Sequence, residues 1–216
     1  NFMNSNFIRI NIIFNRNNIS NRNSNKIIMD SDLFVALEAM ETDGECAVVI
    51  SGTGSMAICR NKNGSISHAG GFGYILGDEG SGAVLGKRLT GDCLKHQLPE
   101  NICRMFLEYT GLTPAQIIDK VYRQPQANRF LASLTPFLSA HRDLPEIHQL
   151  LISCFSDFFE RNVMQYNHPH WEVHFTGSIS WYFQEEIKEA AQRFNLHIGK
   201  FIKSPINGLI KYHFEL

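Results

Sequence analysis

The densest chemistry in this 216-residue chain lies in residues 51–82, SGTGSMAICRNKNGSISHAGGFGYILGDEGSG. Two groups stand out there. The first is the corner Gly52-Thr53-Gly54-Ser55, which follows an apolar run and suits a tight turn. Its backbone N–H groups, with the Thr53 and Ser55 hydroxyls, would face an anionic group. Glycine belongs there because a Cβ would keep a phosphate from the backbone. Taken alone, the tetrapeptide reads better as an ordinary hairpin turn. The second group is the adjacent pair Asp78-Glu79, flanked by Gly77 and Gly80, with Phe72 and Tyr74 upstream. A carboxylate beside pliable backbone suits polyol recognition, because it accepts paired hydrogen bonds from vicinal hydroxyls while a ring covers the sugar's apolar face. The competing reading, in which Asp78 or Glu79 caps the helix starting near Gly80, stands level with it and is compatible with it.

GTGSMA also satisfies GxGxxA after a strand, the spacing of a dinucleotide-binding turn. That mechanism requires a helix to start at the glycines and hold the pyrophosphate. Here Met56–Arg60 alternates and runs into the Lys62-Asn63-Gly64 turn, which is strand behaviour, so context excludes it.

The elements that must position these groups follow from periodicity. Ser31 or Asp32 can cap a helix over 33–40, and 46–50 reads as a buried strand. Strands are expected at 56–60 and 65–68, and helices at 80–97, 99–109, 114–123, 127–140 (bent by Pro136) and 144–166. A strand at 172–176 enters Gly177-Ser178, followed by a helix over 180–194 and a short strand at 196–199. Strands mixed with long helices indicate an α/β domain. Ile147, Leu150, Leu151, Cys154, Phe155, Phe158 and Phe159 fall at helical spacing as a core stripe.

Composition narrows the function classes. Hydrophobic residues make up 44%, charged residues 19%, and the net charge is −1, so no basic field points to nucleic acid. No apolar run is long enough to span a membrane. The five cysteines form no CxxC and no zinc spacing, which argues against a disulfide framework or metal site and for a reducing, cytoplasmic setting. His168-Pro-His170 lacks partner ligands and reads as a surface loop. Residues 1–29 hold ten of the eighteen asparagines, four basic residues and no acid. This stretch reads as an atypical leader, disordered or out of frame, with a strand pair as the alternative, and residues 30–216 form the main domain.

GTGS followed by GGFGYILGDEGSGAVLGKR resembles the N-acetylglucosamine kinase branch of the BadF/BadG/BcrA/BcrD ATPase family, in the sugar kinase/Hsp70/actin superfamily. The resemblance continues through RQPQANRFLASLTPFL, FTGSIS and SPINGLIKYH. It implies an RNase H-like (actin-like ATPase) C-terminal lobe, a mixed sheet with flanking helices. It also implies ATP, Mg2+ and an amino sugar as ligands. By position, Gly52, Thr53, Gly54 and Ser55 correspond to the second phosphate-binding turn. Asp78 matches the acid on the sugar hydroxyls, with Phe72 and Gly73 beside it. Gly177 and Ser178 match the adenosine-region turn, and Gly208 the closing segment near the nucleotide. Asp32 matches the catalytic aspartate, which accepts the proton of the attacking sugar hydroxyl; from the residues alone it reads as a helix cap. The family's first phosphate loop, an Asp-Gly-Gly hairpin, has no counterpart, since no glycine precedes Gly44. The expectation is a folded chain with impaired kinase activity. The alternatives are a non-catalytic interaction fragment or an ATPase activating a partner enzyme, and a homodimer stays open.

Overall fold

The computed structural model describes residues 12–14, 26–28, 36–37, 40, 45–166 and 171–204, the first two segments as backbone. The chain divides into two compact units, Asn1–Thr42 with Pro205–Leu216, and Asp43–Ser204. Within the first, β1 (Ile12–Phe14) and β2 (Lys26–Ile28) pair antiparallel, Ile12 opposite Ile28. Ala36 and Leu37 are helical and buried, inside the helix expected over 33–40.

The second unit is built on a five-stranded mixed sheet, ordered β5-β4-β3-β6-β7. Its strands are β3 (Cys46–Ser51), β4 (Ser55–Arg60), β5 (Ile66–Gly70), β6 (Glu172–Thr176) and β7 (His197–Ile202). Only β4 runs against the others: it pairs antiparallel with β3 and β5, whereas β3–β6 and β6–β7 are parallel. The helices are α1 (Gly73–Leu76), α2 (Gly82–Leu94), α3 (Glu100–Thr110), α4 (Pro114–Tyr122), α5 (Ala127–Ala132), α6 (Thr135–Ala140), α7 (Pro145–Phe158), α8 (Ser178–Tyr182) and α9 (Gln184–Gln192).

Period-2 alternation sorts the strands' side chains. Ala47, Val49, Ala57, Cys59, Val173 and Phe175 share one cluster with the helices, into which the α7 stripe is packed. Phe175 stacks on Phe201 at 5.0 Å and meets Phe159 edge-on. Fully burying one such ring contributes about 1.5–3 kcal/mol.

Local chemistry sets the helix ends and departs from expectation in four places. Ser81, not Asp78 or Glu79, caps α2: its side chain accepts from the Val84 amide. Gly80, at φ +69°, keeps the helix from starting earlier. The helix expected over 127–140 is two helices, because Pro136 lies in the first turn of α6 and cannot continue α5. The helix expected over 180–194 starts at Ser178 and breaks at Phe183 (φ −115°, ψ 35°). Beyond α7, the chain widens into a π-helical turn, Phe159–Val163, and then a 3-10 turn, Met164–Tyr166. Pro114 begins α4 behind a Thr113/Gln116 capping box.

Candidate active site

The parallel strands β3 and β6 end side by side, Ile50 opposite Thr176. Each then enters a glycine turn: Ser51–Ser55 after β3, Gly177-Ser178 after β6. In open α/β sheets the carboxyl ends of strands, where connections leave to opposite sides, are where ligands bind. Gly177 sits at φ +118°, and a Cβ on it would collide with the Ser51 carbonyl. Glycine therefore lets the two turns abut.

The Ser51–Ser55 turn closes on itself, Gly52 N donating to Gly54 O at 2.9 Å. Its outer carbonyls are used by the start of α2: Gly82 N donates to Gly52 O and Ala83 N to Thr53 O. The α2 amides are thus consumed. Among the described residues, the amides of Thr53 and Gly54 have no acceptor. A Cβ on Gly52 would meet nothing within 4 Å, so open space lies beside the turn. Bare amides next to open space fit an anion such as a phosphate. β4 follows the turn directly, which disposes of the dinucleotide reading.

The Ser55 hydroxyl does not face that space. It donates to the Glu79 carbonyl at 2.6 Å, and the Ser51 hydroxyl donates to the Gly80 carbonyl at 3.0 Å. Two serines at the strand ends thus fasten the acidic loop onto the glycine turn. Of the two hydroxyls expected to face an anion, only that of the exposed Thr53 is left for it.

Asp78 is the residue so fastened. It is buried and adopts φ +57°, a conformation unusual for a residue with a Cβ. Its Oδ1 accepts from the Gly73 amide at 3.1 Å. Its Oδ2 lies where a side chain on Gly54 would be, 2.9 Å from that hypothetical Cβ. Burial pushes the Asp78 pKa above the usual carboxylate range; the Gly73 amide opposes this, the Glu79 charge adds to it, and the Ser55 amide and Lys87 oppose it. Glu79 beside it accepts from Asn162 Nδ2 at 3.1 Å, with Arg161 at 4.0 Å.

The structure therefore brings Gly52, Thr53, Gly54, Ser55, Gly73, Asp78, Gly177 and Ser178 to one end of the sheet. Phe72 is 72% exposed beside them, its Cβ near Gly77, with Ile75 and Leu76 exposed as well. Asp32, Gly208, His168 and His170 lie outside the described residues. Two residues were not singled out by sequence. Asn162 lies in the π-helical turn just beyond α7, in line with its apolar stripe, and carries no motif. His174 is buried on β6; burial lowers its pKa, and its Nδ1 accepts from the Lys200 amide.

No group of three His, Cys, Asp or Glu side chains converges on a metal position among the described residues. The five cysteines are buried free thiols; burial pushes Cys59 and Cys154 up to about 12. No helix of the described residues is long and apolar enough to cross a membrane.

A five-stranded sheet with one reversed strand and glycine turns at its parallel ends defines an actin-like ATPase fold. A solved structure assigned as an N-acetylglucosamine kinase, from Porphyromonas gingivalis, matches with TM-score 0.80 at 43% identity, over 84% of this chain and 64% of that one. A curated N-acetylmuramic acid/N-acetylglucosamine kinase from Clostridium acetobutylicum is 35% identical over 117 residues, 51% of this chain and 38% of the relative. A Chromobacterium violaceum structure assigned as an N-acetylglucosamine kinase shares the fold at TM-score 0.67 and 24% identity. No protein-family model matches the chain. The chain is a homologue of proteins named N-acetylglucosamine kinase, kinases of the actin-like ATPase type, and it spans less than two thirds of their length.

Proposed function

We propose that the chain takes part in ATP-dependent phosphorylation of an amino sugar of the N-acetylglucosamine class, contributing one wall of the site. The observation carrying this reading is the Asp78 carboxylate, buried and aimed at the side-chain-less Gly54 of the phosphate-type turn. The relatives' names favour the same chemistry.

In this reading Asp78 accepts hydrogen bonds from vicinal sugar hydroxyls, and Phe72 and Gly73 border the ring. In the turn Gly52, Thr53, Gly54 and Ser55, the amides of Thr53 and Gly54 face the β- and γ-phosphates while Gly52 and Ser55 hold the turn in shape, which spreads developing charge over fixed dipoles. Gly177 and Ser178 serve the adenosine side, and Gly208 is assigned to nucleotide binding by the resemblance alone. Asp32 accepts the proton of the attacking hydroxyl. Mg2+, when bound with ATP, neutralises phosphate charge; no donor set for it is assigned to the described residues. Placing both reactants against one rigid corner supplies orientation, the larger part of what phosphoryl transfer asks of a protein. We further assign the chain to the BadF/BadG/BcrA/BcrD ATPase family and to the cytoplasm.

Calorimetry of the 216-residue chain with N-acetylglucosamine, glucosamine and ATP in turn tests the reading. N-acetylglucosamine should bind to the chain but not to Asp78→Ala, while both bind ATP. Sugar binding unaffected by Asp78→Ala, or no binding of either ligand, would overturn it.

A further inference from the structure

Asn162 occupies an anomalous place. The stripe of α7 calls for an apolar side chain one turn beyond Phe158 and Phe159, yet the position holds a carboxamide that is only 4% exposed. The π-helical turn Phe159–Val163 delivers it there. Such turns widen the helix by one residue, are costly, and recur at functional sites. The carboxamide leaves its own helix and donates through Nδ2 to Glu79 Oε2, 83 positions away in sequence. Its Oδ1 lies against Gly70, where an added Cβ would come within 2.9 Å, so the glycine at the end of β5 makes room for it. Gly70 is itself held at φ +84°.

Glu79 is the covalent neighbour of Asp78 and is fastened at two points. Ser55 holds its carbonyl and Asn162 holds its carboxylate. With both ends fixed, the peptide that joins Asp78 to Glu79 is restrained, and the left-handed backbone of Asp78 is kept from relaxing to an ordinary one. We propose that Asn162 is a positioning residue, which orients the Asp78 carboxylate by pinning the side chain of Glu79. It touches neither sugar nor nucleotide in this account, and the proposal rests on reading Asp78 as the sugar-binding carboxylate.

The test uses the full chain with Asn162→Ala, Asn162→Asp and Glu79→Gln. The first readout is amide hydrogen exchange at Gly73, whose N–H is bonded to Asp78 Oδ1. The second is the Kd for N-acetylglucosamine against that for ATP. Removing a hydrogen bond to a carboxylate should speed Gly73 exchange and weaken sugar binding by roughly 10- to 100-fold, leaving the ATP Kd in place. Asn162→Asp sets a like charge against Glu79 and should do at least as much harm. Glu79→Gln keeps an acceptor oxygen for Nδ2 and should keep Gly73 exchange slow. A residue that only fills space would move the melting temperature while leaving the Gly73 amide and the sugar/ATP ratio alone, and that result would overturn the proposal. If Asn162→Ala fails to fold, Glu79→Ala removes the same contact from its more exposed side and decides by the same readouts. Should the wild-type chain bind no amino sugar, the sugar reading of Asp78 falls, while fast Gly73 exchange in the variants would still uphold the pinning and unchanged exchange would refute it.

Discussion

Adding one methyl group at Gly54 tests the core of the site. The Cβ of Gly54→Ala would stand 2.9 Å from Asp78 Oδ2. Ordinary carbon–oxygen contact needs about 0.5 Å more, since close-packed interiors leave no slack. The carboxylate cannot simply swing aside, because Oδ1 is bonded to Gly73 N at 3.1 Å. A shift of that size takes the bond to the edge of hydrogen-bonding range and forfeits about 1.5–3 kcal/mol, the worth of a bond to a charged group. Sugar affinity should fall roughly 10- to 150-fold, at 1.4 kcal/mol per decade. Stability should fall as well, by a net of about 0.5–2.6 kcal/mol, because the forfeited bond is internal to the chain and only part of it is offset. Gly54 does not need a left-handed backbone, so alanine also restricts the unfolded chain and returns about 0.4–1 kcal/mol. Gly52→Ala is the counterpart: its Cβ meets nothing within 4 Å and projects into the room assigned to phosphate. That variant should lose ATP affinity and keep sugar affinity. Calorimetry with both ligands, alongside thermal melts, reads the pair. Wild-type sugar binding in Gly54→Ala, or identical losses of both ligands in both variants, would refute the reasoning.

Two further outcomes follow from buried charge. Because folding raises the Asp78 pKa, the native chain holds that proton more tightly than the unfolded one. Its contribution to stability is full below the unfolded pKa near 4 and is lost as pH rises through the higher folded value. Asp78→Asn should therefore gain stability relative to wild type between pH 4 and pH 7, measured by urea unfolding at each pH; a constant difference would contradict this. Glu186 is buried, its Oε1 3.4 Å from Arg142 Nη1 and its Oε2 without a partner. Arg142→Ala strands that carboxylate and should cost about 3 kcal/mol, with Arg142→Ala/Glu186→Gln recovering part of it in the same unfolding assay. A cost below about 0.5 kcal/mol, the scale of ordinary surface substitutions, would show that the pair is solvated.

Much of the scaffold was legible because its signals are local. Alternation located β3 and β4 to within a residue or two, and Thr113-Pro114 placed the start of α4. Gly177 marked the close turn after β6. The apolar stripe is legible along α7 and into Phe159, and no further. A helical period assigns faces, so a polar residue on the apolar face looks like noise until its partner 83 positions away is known. Pro136 signalled a bend; the complete break also needed the turn at Ser133-Leu134, which carries no strong local mark. The Ser55 hydroxyl was misjudged for a related reason. Its type says that it can donate, but only the fold shows the Glu79 carbonyl as its acceptor. Similarly, the expected sugar carboxylate and phosphate turn were each legible, while their contact at Gly54 was not.

The two glycine turns abut only because β3 and β6 are neighbours, yet every helix from α1 to α7 is threaded between them. Ile50 must wait for Thr176. Such remote pairing is slow, since a long loop must close before any contact rewards it. The corner should consequently be the last part to mature during refolding, well after the helices have collapsed. A chain interrupted within that helical excursion would retain abundant secondary structure while its two turns never met.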